Sequence, residues 1–104
     1  MALNSSTTSA ANTAVSATIT GVPGLKVFIY RIDVYSSAGT ASLTITDGGT
    51  DIYKLPSSFV TTTPTAITWT KPLECTVGNT VVVTLSAAGG GNTTTLNVQA
   101  DQVA

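Results

Sequence analysis

Residues 44–56 read TITDGGTDIYKLP. Two runs of strand-forming residues flank an Asp-Gly-Gly step. Ahead of the step, Ala41, Leu43 and Ile45 alternate with Ser42, Thr44 and Thr46, the period of a strand with one apolar face. After it, TDIYKL returns and Pro56 is expected to end the strand. Gly48 and Gly49 are suited to the positive φ of a tight hairpin, and the Asp47 carboxylate can bond the backbone two residues on. The reading is a hairpin whose register sets Ala41, Leu43 and Ile45 against the return strand through Ile52.

The same stretch holds two carboxylates, Asp47 and Asp51, which makes it a candidate ion site. A hard cation needs several oxygens. The acid spacing and closing Glu of an EF-hand are missing, and the Gly-rich β-helix repeat needs stacked copies where one is present. Acid–base chemistry needs two carboxylates facing each other across a cleft. A loop tip projects into water, where nothing raises a carboxyl pKa. The stretch is therefore read as a turn, with no catalytic, cofactor-binding or metal-binding residue assigned and no cofactor expected.

The period of two extends along the chain. Val15, Ala17 and Ile19 share a face before the Gly21-Val22-Pro23-Gly24 turn. In LKVFIYRIDVYSS, residues 25–37, Leu25, Val27 and Ile29 hold one phase and Ile32 and Val34 the other. One core can take both sets only with a bulge or twist near Tyr30-Arg31, or with burial on both faces. Ile67 and Trp69 share a face, Pro72 is expected to end that strand, and Leu73, Cys75 and Val77 continue an alternation. Val81, Val83 and Leu85 point inward, as do Leu96 and Val98 beyond a loop at Gly89-Gly90-Gly91. No segment has helical spacing. About seven to eight short strands separated by turn signals indicate an all-β protein, an antiparallel β-sandwich. Residues 1–12, polar and of low complexity, are read as a flexible N-terminal arm and a candidate clamp on a neighbour's sheet edge. Residues 13–104 are read as a single β-sandwich domain.

Composition narrows the function. The chain has 104 residues with a formal net charge of −1 and 9% charged residues, against about 25% in an average soluble domain. Ser and Thr, about 30% of the chain, take their place, Thr being at home on strands. Lys26, Arg31, Lys54 and Lys71 form no basic run, so no nucleic acid is expected as a partner. The longest apolar-leaning run, Val27 to Tyr35, contains Arg31 and Asp33 and is too short for a span, so no membrane is expected. Residues 1–11 have neither a basic start nor an apolar centre, which sets the expectation of synthesis in a cytoplasm. With no His, the commonest general base and metal ligand is missing, and Cys75 has no His to make it a nucleophile. Tyr30, Tyr35, Tyr53 and Trp69 are candidates for a sugar-stacking platform, with Trp69 more readily a core anchor.

The runs SLTITDGGTDIYKLP and ITWTKPLECTVGNTVVVTLSAAGGGNTTTLNV together resemble small virion proteins of tailed bacteriophages. The shared features are a DGG-type turn, an aromatic-plus-Pro-Leu step, then VGN and a Val/Leu/Thr strand, over about residues 20–100. The resemblance implies a jelly-roll-like sandwich, commonly trimeric, serving as a capsid decoration (cement) protein or a fibre-associated module. It brings no catalytic residue. An immunoglobulin-like module is the competing family, although the Cys…Trp…Cys spacing of antibody domains is absent. The expectation is a non-enzymatic virion structural protein, assembled in the host cytoplasm, that decorates the capsid exterior as a homotrimer. Its partners would be capsid or other virion proteins. The alternative is a receptor- or glycan-binding module of a head or tail fibre.

Overall fold

The structure is a computed structural model that describes residues 2–8, 14–37, 41–60, 63–86 and 93–104, with the backbone alone for 2–8 and 57–60. The described residues form β1 (Ala2–Thr8), β2 (Val15–Ile19), β3 (Lys26–Ser36), β4 (Ala41–Asp47), β5 (Thr50–Val60), β6 (Thr65–Glu74), β7 (Val81–Leu85) and β8 (Thr94–Val103). The glycine loop at 89–91, the turn at 38–39 and the Phe59 side chain lie outside the described residues.

The strands pair in a nested series. The innermost hairpin, β4 with β5, is joined at Gly48-Gly49, and β3 with β6, β2 with β7 and β1 with β8 enclose it in turn, all antiparallel. This long doubled-over ribbon is then wrapped, so that β3 also pairs with β8 and β4 with β7. Two four-stranded sheets result, ordered β1-β8-β3-β6 and β2-β7-β4-β5. That order is the jelly roll, a double sheet of two Greek keys. It differs from the immunoglobulin arrangement, in which the first, second and fifth strands share a sheet.

The inward faces supply one core. Val15, Ala17 and Ile19, Val27 and Ile29, Ile32 and Val34, Ala41, Leu43 and Ile45, Val81, Val83 and Leu85, and Leu96, Val98 and Ala100 are all buried between the sheets. The double phase of β3 is resolved by a bulge. Pairing steps from Ile29↔Ala100 to Arg31↔Gln99, which leaves Tyr30 without an opposite residue on β8. Tyr30 and Arg31 are both exposed, and Ile29 and Ile32 both fully buried. The extra residue lets both apolar sets reach the same core.

Three expectations are corrected. Residues 2–8 of the expected arm form β1, which bonds along its whole length to β8 of its own chain. Thr is a strand former, and beside an open sheet edge this segment meets the backbone groups that a solvated arm would leave to water. Pro56 and Pro72 do not end their strands: β5 runs to Val60 and β6 to Glu74. Both lie on edge strands, where a missing N–H can face outward, and both fall in a wide register break. Ile52 does not carry the hairpin register. Thr46 pairs Asp51 and Ile45 pairs Tyr53, so Ile52 is bulged and 37% exposed, while Tyr53 and Leu55 pack against the core.

The bulge makes a specific prediction. Deleting Tyr30 would leave Val27, Ile29, Ile32 and Val34 in one unbroken alternation against β8, and the variant is expected to keep a cooperative thermal transition by circular dichroism. Tyr30→Ala keeps the residue count and is expected to stay folded, within about 1 kcal/mol of the parent.

Candidate functional site

One end of the sandwich gathers the β4–β5 turn, the β2–β3 connection and the β6–β7 connection. Gly48 and Gly49 have φ of 60° and 87°, the signs that a two-residue type I′ hairpin turn requires. Gly21 lies so close to the neighbouring loop that a Cβ there would stand 2.2 Å from the Gly78 carbonyl oxygen, well inside van der Waals contact. Asp47 ties this end together. Its Oδ2 accepts from the Thr76 backbone N–H at 2.8 Å and the Thr76 hydroxyl at 3.0 Å, and its Oδ1 accepts from Asn79 Nδ2 at 3.0 Å. The Gly48 N–H donates to the Thr80 carbonyl at 3.0 Å. The expected bond from Asp47 to its own turn is replaced by bonds to a loop about thirty residues downstream. The DGG and VGN motifs are thus one physical unit.

The other acids are dispersed. Asp51 pairs with Lys54 at 3.1 Å, Asp33 with Arg31 at 2.9 Å, and Glu74 with Lys26. Lys26 holds the Glu74 carboxyl below its ordinary pKa, by hydrogen bond first and charge second. The pKa of the Tyr30 hydroxyl is raised, chiefly by the neighbouring Asp101 carboxylate. Among the described residues no three His, Cys, Asp or Glu side chains lie together as a metal cluster would need. Exposed ion pairs of this kind contribute little to stability.

Cys75 is 3% exposed at the edge of the core, and its N–H donates to the Val27 carbonyl at 2.9 Å. Burial pushes the thiol up to about 11, and the charges of Asp47 and Glu74 push the same way. Val77, expected to share its apolar face, is instead 46% exposed in the Thr76–Asn79 turn, closed by Asn79 N–H to Thr76 carbonyl.

The four aromatic candidates separate into two pairs. Tyr53 on β5 and Trp69 on β6 meet edge to face, centroids 5.4 Å apart at 71°, half-buried against the core. They bridge the edge strands of the two sheets. Tyr30 and Tyr35 lie on the outer face of the β1-β8-β3-β6 sheet, 39% and 38% exposed. Beside Tyr35 a shallow groove of about 230 Å³ is lined by Arg31, Asp33, Thr65, Thr95 and Asn97. Individual aromatic and charged residues were visible in the sequence. The grouping of Arg31, Asp33 and Asn97 around Tyr35 was not, because it depends on the β3–β8 pairing.

Three outcomes follow from these contacts. Asp47→Ala is expected to cost about 2–3 kcal/mol in chemical denaturation, because it strands several donors of one loop, and Asp51→Ala less than about 0.5 kcal/mol. An added calcium salt is expected to leave the melting temperature unchanged; a rise that is abolished in Asp51→Ala would restore the ion site. Cys75 is expected to resist a thiol-reactive disulfide at pH 8 in the folded protein and to react once denatured. Its folded pKa is raised from the ordinary 9.0, so the protonated thiol favours the fold below that pH. That contribution is lost as pH rises through about 11.

The chain matches no protein-family model, and no curated protein matches it in sequence.

Proposed function

We propose that the protein is a non-enzymatic structural component of a tailed-phage virion, decorating the capsid exterior through protein–protein contacts as a homotrimer. The observation that carries this reading is the union of its two motifs. The DGG turn and the VGN loop, which bear the resemblance to phage virion proteins, are joined through Asp47, Thr76 and Asn79 at one end of a jelly roll. They are scaffold elements of the fold that the resemblance implies. Asp33, Asp47, Asp51 and Glu74 each engage a separate partner, which suits a scaffold better than a reaction centre.

Assembly is supported by a seam along one side. Tyr53 and Leu55 on β5, with Ile67, Trp69 and Leu73 on β6, are only partly buried against the core. A symmetric neighbour at this seam would remove more of that apolar surface from water. The hydroxyl-rich outer faces carry few ions to desolvate, so many shallow contacts repeated by symmetry can add to useful avidity.

Native mass measurement of the purified protein, with co-sedimentation on undecorated phage heads, tests the proposal. Three chains per particle of protein and saturable binding to heads are expected. A monomer that leaves heads undecorated at all concentrations overturns it.

A further inference from the structure

We infer that the outer face of the β1-β8-β3-β6 sheet binds a neutral carbohydrate, with the groove beside Tyr35 as its central subsite. The first observation is how β3 displays its residues. Before the Tyr30 bulge, Val27 and Ile29 point inward; after it, Ile32 and Val34 do. The bulge therefore places Tyr30, Arg31, Asp33 and Tyr35 on one outward face. In an unbroken strand, the last three would share the core phase of Val27 and Ile29. Bulges commonly re-aim side chains beside functional sites.

The second observation is where aromatic surface remains uncovered. Of the exposed large apolar side chains among the described residues, Val22 and Val77 lie in turns, Ile52 at a bulge near a hairpin tip and Val103 at a strand end. Tyr30 and Tyr35 are the aromatic residues among them, and both stand within β3 on the sheet face. A rigid, upright aromatic ring offers an apolar face at low entropic cost, the surface on which the C–H face of a sugar ring stacks.

The third observation is the polar lining. Arg31 and Asp33 are joined through one nitrogen and one oxygen, Nε and Oδ1, at 2.9 Å. A guanidinium and a carboxylate have further donor and acceptor positions, and the Asn97 amide presents both kinds. Sugar hydroxyls both donate and accept, so this mixture suits vicinal hydroxyls. The Arg31–Asp33 pair leaves the groove close to electrically neutral, which disfavours phosphates and acidic sugars. A volume of about 230 Å³ is below the roughly 300–1,000 Å³ of small-molecule pockets. It suits a single ring of a longer, surface-laid chain rather than an enclosed cofactor. Tyr and Arg serve a protein interface as well as a sugar site, but Asp33 in the groove weighs against a protein partner, because Asp is depleted from protein interfaces.

The test is an array of immobilised neutral and acidic glycans probed with the intact protein, with titration of the best neutral ligand in solution. Binding to at least one neutral glycan is expected. Tyr35→Ala and Asn97→Ala should each weaken it at least about fivefold, and Tyr35→Phe should retain it. Lys54→Ala, on the other sheet, should leave it unchanged, and circular dichroism checks that each variant is folded. Binding to no neutral glycan, or binding that survives both alanine variants, overturns the inference. So does a Tyr35→Ala variant that loses phage-head binding where the parent binds no glycan, because the face is then a protein interface. The inference does not rest on capsid docking. A chain that decorates heads but binds no glycan overturns this inference alone, and one that binds glycan but no heads overturns the docking proposal alone.

Discussion

The Gly48-Gly49 turn is the point about which the whole pairing scheme closes. A two-residue connection matched to strand twist needs positive φ at both central positions, and glycine adopts this without a Cβ penalty. Once β4 and β5 are locked at that tip, each further pair encloses the one before it. The nested series, wrapped on itself through β3·β8 and β4·β7, is the jelly roll. Asp47, the residue before the glycines, extends the constraint. Its carboxylate holds the start of the β6–β7 connection where the chain crosses from one sheet to the other. A local turn and a long-range crossing are thereby coupled through one side chain.

The second governing constraint is the side-chain period of two. Every strand facing a single core must keep its apolar set on one side, and an inserted residue inverts everything beyond it. The β3 bulge satisfies this rule while serving the outer face. Ile29 and Ile32 are three apart and both buried, and the inversion between them brings Arg31, Asp33 and Tyr35 outward. Core packing and surface display are two results of one extra residue. The β5 bulge at Ile52 works in the same way, seating Tyr53 and Leu55 against the core.

Much of the fold was legible because it rests on local signals. Alternation identified the inward faces of β2, β4, β7 and β8, and the phase conflict at Tyr30-Arg31 located the bulge. The errors share a cause. Pro56 and Pro72 end a strand only if their missing N–H was needed, which depends on whether the strand lies at an edge. Residues 2–8 have the composition of an arm or of a strand, and an open edge on β8 decides between them. Val77 continued an alternation on paper, yet the Thr76–Asn79 turn turns it to solvent. At the candidate site, Tyr30 and Tyr35 were named from the chain, but their separation from Tyr53 and Trp69 required the sheet order.

By itself, then, the sequence determined an all-β chain, its alternating inward faces, the DGG hairpin and the lack of a His-based chemistry. These follow from residue type, spacing and φ preference over a few neighbouring positions. Tertiary structure alone decided the jelly-roll order, the docking of β1, the engagement of Asp47 with Thr76 and Asn79, and the gathering of Arg31, Asp33 and Asn97 beside Tyr35. Each of these joins residues tens of positions apart. Such contacts are selected by which strand edges meet when the core closes, and no local propensity encodes that choice.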